Sequence, residues 1–506
     1  MLSVPLHPPG RSPRSAGFRV TWATGPGRLR GASPGRRGPR AAARRYGAPV
    51  TAGTHAGQPA SPDPAPETDP DAGRRGEEAV ALAVDLIRVD STNGNETAVA
   101  EVLAAYLEGD GVEVELVARD PRRANLVARL RGTGGGPSLA FVGHSDVVPA
   151  DPRDWTHPPF AAVVDDAGYL WGRGAVDMKG EVTARAAALR SLARSGWRGR
   201  GDLLLVVVAD EEDGAAAVGM NWLVDERPDI AADYALNEGG GMRFSLADGR
   251  HLVEVSVGEK GTCPVRVEAL GEAGHASTPT LGDNAVPLLA QLLVRIGRGE
   301  AQPADHPAVR AMLDALLGPG AVDRLGLAEA LRRAGALHPT LADSLPAVAG
   351  TTMAPTVLHG SAARNVMPAR AAVELDCRIL PGTTEDEVLA AVRARLGDDL
   401  AYELSLAEPA VHGNASAPEG PLWDVVRRWS AEHVGAEPFP TLCSGFTDSV
   451  YLRRAFGTVA YGFSPFRTTP TEVLEAGYHN ADERVHVDDV ALSAHFHADA
   501  ARSLLG

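Results

Sequence analysis

The chain is poor in several things that would have set its class. It has three cysteines, Cys263, Cys377 and Cys443, widely spaced and odd in number. That excludes a disulfide framework and a paired-cysteine metal knuckle, and it fits a reducing compartment, with the cytoplasm the expected location. Each thiol is read as a small buried apolar residue. Lysine is almost missing, since only Lys179 and Lys260 figure among the 49 basic residues. No apolar run approaches the roughly 18 residues of a membrane span, so no membrane partner is expected. Acidic residues are missing from positions 1 to 62, which hold ten arginines; taking those from the net charge of -16 leaves about -26 on residues 63 to 506. A surface so acidic excludes nucleic acid or an anionic membrane as the main partner.

What is present is charge at the ends of apolar runs. LAFVGHSDVVP (139 to 149), LWGRGAVDMKG (170 to 180), LLLVVVADEEDG (203 to 214) and YALNEGGG (234 to 241) place His144, Asp146, Asp177, Glu211, Glu212 and Glu238 where buried strands should finish. Ionisable groups persist at the edge of a core mainly when they bind a cation or do chemistry. A metal hydrolase is the working reading.

At 506 residues the chain is too long for one ordinary core, so two domains and a tail are expected. Residues 1 to 75 are rich in Arg, Pro, Gly, Ala and Ser without apolar periodicity, and should be disordered. Their composition is that of a transit peptide and their arginine pairs those of an export signal, but a secretory apolar core is missing; a simple tail or extension is expected. From residue 76 to 258 the pattern is that of an α/β layer: amphipathic helices over 77 to 89 and 96 to 111, strands over 112 to 117, 125 to 130 and 138 to 144, a helix over 181 to 195, and a central strand over 202 to 209. Residues 259 to 408 read β-α-β-β-α-β, a ferredoxin-like order, with a helical hairpin inserted over about 300 to 345. Residues 409 to 506 resume the first layer with helices over 422 to 433 and 487 to 505 and an apolar run over 458 to 463, so one domain is expected inside another.

A hydrolytic two-metal site needs about three protein groups per ion, one of them bridging, and room for water. His144, Asp177, Glu212 and Glu238 supply four, and GYHNADERV (477 to 485) offers a further imidazole in His479. At this point GHSDVVP, GRGAVDMKG, ADEEDG, NEGGG and GYHNADERV together resemble the metal-binding motifs of the dinuclear zinc aminoacylase and carboxypeptidase G family, which includes acetylornithine deacetylase and succinyl-diaminopimelate desuccinylase. The resemblance covers about residues 77 to 506. It implies a zinc-exopeptidase-like α/β catalytic domain carrying an inserted ferredoxin-like lid and dimerisation domain, in a homodimer. It also implies two Zn2+, with Co2+ or Mn2+ compatible with the same ligands. His144 and Glu238 would bind one ion, Glu212 and His479 the other, and Asp177 would bridge them. Asp146 would orient the His144 ring, and the Asp177 to Met178 peptide would be cis.

Glu211 is then the catalytic carboxylate. Neighbouring residues on a regular strand face opposite ways, so Glu211 and Glu212 must sit where the strand ends. One ligates, and the other takes a proton from the attacking water and passes it to the leaving amine. By the same resemblance His275 in GHASTP stabilises the oxyanion in the partner subunit's site. Asn365 in NVMP and Arg378 in DCRILPG would hold the substrate carboxylate, a task suited to the planar fork of arginine. GFTDS (445 to 449) should line the pocket. The other histidines, His433, His495 and His497 among them, match no motif and read as surface or satisfied core residues; His495 and His497, two apart on a helix, do not face one another.

The expected activity is hydrolysis of an amide in an N-acyl amino acid or small peptide with a free carboxylate. Glu at position 238 leans, within the resembling family, towards deacylases. A carboxypeptidase or dipeptidase on longer peptides, or a non-catalytic homologue, are the alternatives; the first is disfavoured by a lid and clamp made for small substrates, the second because base and ligands are all present.

Overall fold

The computed structural model describes residues 20–22, 71–214 and 216–506. Most of the expected disordered tail lies outside these residues. Val20–Trp22 does not: it pairs in parallel with the edge strand Glu113–Ala118. The first helix, Ala72–Ile87, starts four residues before the expected domain boundary at residue 76.

The larger unit is built on a ten-stranded sheet. Its centre is Leu203–Val208, every residue of which is buried. Alternate side chains explain why. Leu203, Leu205 and Val207 pack into a core with Val182, Leu189 and Phe496, whereas Leu204, Val206 and Val208 pack with Met220, Leu223 and Leu452 on the other face. A strand covered on both faces reads as a continuous apolar run, which is the pattern at 203 to 208. Leu139–His144 lies parallel to it, Tyr234–Asn237 parallel to that, and Val459–Gly462 parallel in turn. Helices Lys179–Arg194, Val487–Leu505 and Ala72–Ile87 pack together as one layer. Four parallel strands thus bring His144, Asp210, Glu238 and Gly462 to one carboxyl edge, the place where open α/β sheets bind ligands. Gly462 is needed there: a side chain on it would stand 1.9 Å from the Glu238 carbonyl oxygen.

Two outer strands went unread in the sequence. His251–Glu259 spans the expected domain boundary at 258, and it pairs in parallel with Glu437–Cys443. The latter carries Pro438 and Pro440, which argue against a strand; it lies at the end of the sheet, where proline is tolerated.

The smaller unit has the expected order. Its strands run Gly350–His359, Arg370–Ile379, Val265–Leu270 and Tyr402–Leu406 across the sheet, all pairs antiparallel. Helices Ala285–Ile296 and Glu385–Leu396 share its core with Cys263 and Cys377. Thr384 and Glu387 close a reciprocal cap on the second helix. The inserted region differs from a hairpin. It forms four helices, Pro307–Leu317, Ala321–Leu325, Leu327–Gly335 and Pro339–Val348. Glycines at 318, 320 and 326 with positive φ divide it. Its apolar faces pack on Phe244, Leu252, Phe439 and Leu442 of the larger unit. Among the described residues no helix is long and apolar enough to cross a membrane.

Candidate metal centre

The site forms where the parallel strands end. Strand Leu139–His144 delivers a buried imidazole. His144 Nδ1 is 3.0 Å from the Asp146 carbonyl oxygen and 3.6 Å from Asp146 Oδ1, which leaves Nε2 pointing at Asp177 Oδ1 (3.1 Å) and Glu238 Oε2 (3.4 Å). The Asp146 carboxylate also accepts the backbone N–H groups of Glu211 (3.3 Å) and Glu212 (3.0 Å). It therefore orients more than the ring: it fixes the turn that carries both glutamates.

That turn is made by Asp210, whose φ of 64° takes the chain out of the strand. Aspartate visits this left-handed region at modest cost. Its carboxylate accepts the N–H of Ala216 and pairs with the buried Arg123, which is itself held by Glu96. The kink is why adjacent glutamates both reach the centre instead of facing opposite ways.

Asp177 sits on the loop between Tyr169–Trp171 and helix Lys179–Arg194, and the Asp177–Met178 peptide is cis. This loop is fastened by Glu483, a residue within the quoted GYHNADERV segment to which no role was assigned. Glu483 is wholly buried and accepts bonds from Arg173 Nη1 (2.7 Å) and from the backbone of Gly174 (3.0 Å), Val176 (2.7 Å) and Asp177 (2.9 Å). No apolar run marks it: the strand that follows, Arg484–His486, holds one apolar residue, Val485, and pairs with Tyr169–Trp171, which brings His479 over Asp177. His479 Nε2 lies 3.3 Å from Asp177 Oδ2 and 3.0 Å from Glu212 Oε2. The His479 side chain is 58% exposed, so the centre opens to solvent on this side.

Replacing Glu483 by Ala leaves the Arg173 guanidinium buried without its partner, a loss of about 3–5 kcal/mol. The melting temperature and the affinity for divalent ions should both fall. Unchanged melting and metal affinity would show that Glu483 does not hold the loop.

Two donor triads result, His144 with Asp177 and Glu238, and Asp177 with Glu212 and His479; within each, the ligand atoms lie within 4.8 Å of one another. Asp177 belongs to both. Ligand atoms about 2.0–2.2 Å from one tetrahedral ion stand roughly 3.3–3.6 Å apart, close to the 3.0 to 3.4 Å between these imidazoles and carboxylates. Glu212 Oε1 is buried with no hydrogen-bond partner, an orphan that a cation would satisfy. The residues present fit two divalent ions.

The electrostatics agree. Burial pushes the Glu211 carboxyl well above its usual range, and the nearby Glu238 adds to this. Burial also raises Glu238, against the pull of His144. Asp177 is driven up by burial but held low by its bonds from both imidazoles. His479 is raised to about 10 by Asp177 and Glu212. Glu211 Oε2 is 4.0 Å from His144 Nε2, outside both triads.

The family model for peptidase family M20/M25/M40 matches residues 140–503. The chain belongs to that family. A succinyl-diaminopimelate desuccinylase of Xanthobacter autotrophicus is 30% identical over 425 residues, covering 82% of this chain and 96% of the relative. Among solved structures, an M20 family metallo-carboxypeptidase, Sso-CP2 of Sulfolobus solfataricus, superposes with a TM-score of 0.63 at 18% identity, covering 84% of this chain and 99% of its own. The dipeptidase Dug1p of Saccharomyces cerevisiae follows at 0.60 and 15%, covering 85% and 98%. The M20 chain is therefore a metallo-hydrolase with a mixed α/β fold.

Around the M20 centre lie further buried polar groups. Buried Arg185 donates to Glu181 (2.8 Å) and to the Asn237 carbonyl (2.9 Å), and its Nε meets His497 (3.2 Å). Glu181 is pushed up to about 8 by burial. In GFTDS, Thr447 bonds Glu259, and Asp448 is raised well above the carboxylate range by burial and by Glu238. The three residues expected to act on substrate lie on the smaller unit. His275 and Val366 pair in a two-residue ribbon that sets Asn365 beside Ala276. His275 is exposed, and its Nδ1 is 2.7 Å from Ser277 Oγ. Arg378 is engaged by its neighbour Asp376, through Nε (2.8 Å) and Nη2 (3.1 Å). The structure thus gathers His144, Asp146, Asp177, Glu211, Glu212, Glu238 and His479, and sets His275, Asn365 and Arg378 apart on the smaller unit, the first two at the two-residue ribbon and Arg378 on the main sheet.

Proposed function

We propose that the protein hydrolyses the amide bond of an N-acyl amino acid or small peptide bearing a free carboxylate. The observation that carries this is Glu211: its side chain is 11% exposed, and it lies beside His144 of the first triad and Glu212 of the second while belonging to neither. Two divalent ions, Zn2+ by the imidazole and carboxylate chemistry of the donors, would supply polarisation of the scissile carbonyl and acidification of a water. His144, Asp177 and Glu238 would hold one, Asp177, Glu212 and His479 the other. Glu211 takes the proton from the attacking water and delivers it to the amine nitrogen as the C–N bond breaks. Asp146 keeps His144 in one orientation and the Glu211 amide in place.

In this reading residues 76–258 and 409–506 form the catalytic domain, and 259–408 a lid and dimerisation domain. Two copies associate, and His275 of one stabilises the oxyanion in the other's site, as its exposed position supports. The setting is the cytoplasm, in keeping with three unpaired cysteines. The name of the Xanthobacter relative supports acyl groups of the succinyl kind, which add a second carboxylate. A screen of N-succinyl and N-acetyl amino acids against dipeptides, read by amine release from Zn2+- or Co2+-loaded enzyme, should show the N-acyl compounds turned over fastest. Turnover of longer peptides alone would overturn the assignment.

Asn365 and Arg378 clamp the substrate carboxylate. Arg378→Ala should raise KM by roughly 100-fold with a smaller change in kcat, as loss of a bidentate ion pair requires. An unaltered KM would return Arg378 to a plain ion pair with Asp376.

A further inference from the structure

A third donor cluster stands apart from the catalytic centre. His433, His495 and Asp499 place one ligand atom each within 4.8 Å of one another. His495 and Asp499 are one turn apart on helix Val487–Leu505, with His495 Nε2 2.8 Å from Asp499 Oδ2. His433 comes from the neighbouring helix. There the regular turns of Pro421–Trp429 give way to a π-helical turn, Ser430–Val434. Such insertions cost helical regularity and recur at functional sites. This one brings the His433 ring onto Trp429, with centroids 4.6 Å apart, and to 5.3 Å from His495. The next histidine, His497, faces inward to Arg185, so the cluster lies on a different side of the helix from the catalytic centre.

A paired histidine and aspartate alone would be an ordinary ion pair. Here a second imidazole is packed against the pair, its ring centroid 5.3 Å from that of His495, so that one cation could be shared by both rings and the carboxylate. Trp429 Nε1 donates to Asp499 Oδ2 (3.2 Å) and Arg502 to Asp499 Oδ1 (3.4 Å), so both carboxylate oxygens are held in place, as those of metal-ligating carboxylates commonly are. The His433, His495 and Asp499 side chains are 23%, 22% and 28% exposed, which leaves an entry path and room for a water ligand.

We propose that His433, His495 and Asp499 form a separate binding site for one borderline divalent cation of the Zn2+ class, clasping the C-terminal helix to helix Pro421–Trp429. Two nitrogens and one carboxylate oxygen with an open position suit such an ion better than Mg2+ or Ca2+, which prefer oxygen ligands. The test uses the full chain equilibrated with Zn2+ buffered at low-micromolar free concentration, freed of loose metal by gel filtration, and counted by plasma mass spectrometry. Wild type should retain one ion more than H433Q and one more than H495Q, and Zn2+ should raise the melting temperature of wild type beyond that of either variant. Because the comparison is a difference, it does not depend on how many ions the catalytic centre holds. Equal counts in wild type and the H433Q/H495Q double variant would overturn the site. If a variant fails to fold, wild type decides: Zn2+ should slow diethyl pyrocarbonate modification of His433 and His495 by about tenfold or more, since a ligated nitrogen is not free to react. Unslowed modification would overturn the proposal.

Discussion

Glu211→Gln is expected to lower kcat by about 10³-fold or more while leaving the bound divalent ions in place, because general acid–base assistance of this kind contributes roughly 10²–10⁴-fold. The amide keeps the size of the carboxylate and can still accept a hydrogen bond, but it cannot take a proton. Glu211 lies outside both triads, so metal content should not change. The separation of the two readouts is the point of the experiment. Amine release from an N-acyl amino acid measures the first and plasma mass spectrometry the second. A variant within a few-fold of wild-type kcat would remove Glu211 from the chemistry, and one that also lost metal would make it a ligand.

Asp177→Ala is expected to empty both positions together. Asp177 Oδ1 faces His144 and Oδ2 faces His479, so it is the one carboxylate shared by the two triads. Its removal takes a donor from each and leaves Glu211, Glu212 and Glu238 converging on two imidazoles with no bridge. His479→Ala, by contrast, removes one donor from one triad, and should lose one ion while retaining the other. Activity in Asp177→Ala should fall below detection under conditions where wild type is saturated with metal. Retention of one tightly held ion in Asp177→Ala would show that the two positions are independent and that Asp177 does not bridge.

The centre was legible because burying an ionisable group is costly, and cost leaves a pattern. Asp146, Glu211 and Glu238 end apolar runs, and that position alone marked them. The small unit was legible through its alternation of strand and helix, which survived the long insertion. Other features left no such trace. Pro438 and Pro440 disguised an edge strand, because only the sheet decides whether a proline sits at an edge. The four-helix insertion looked like a hairpin, since its division depends on glycine conformations that apolar spacing does not report. Glu483 stood inside a recognised segment, yet its task depends on three backbone N–H groups some 300 residues earlier. Arg185 and His497 act through each other, a relation that only packing creates.

The bond from Glu483 to Arg173 spans 310 residues of chain. Seen from the ribosome, four of the five candidate metal donors are made before the whole smaller unit and the fifth after it. Closing so long a loop carries an entropic cost that must be met before the distant contacts repay it. Only when the last stretch arrives are His479 and the fastening of the Asp177 loop in place together. On the proposed reading, metal loading is therefore expected late in the life of the chain. A polypeptide stalled or clipped before residue 479 would hold most of the candidate catalytic residues yet lack both a donor of the second triad and the Glu483 bonds that fasten the Asp177 loop.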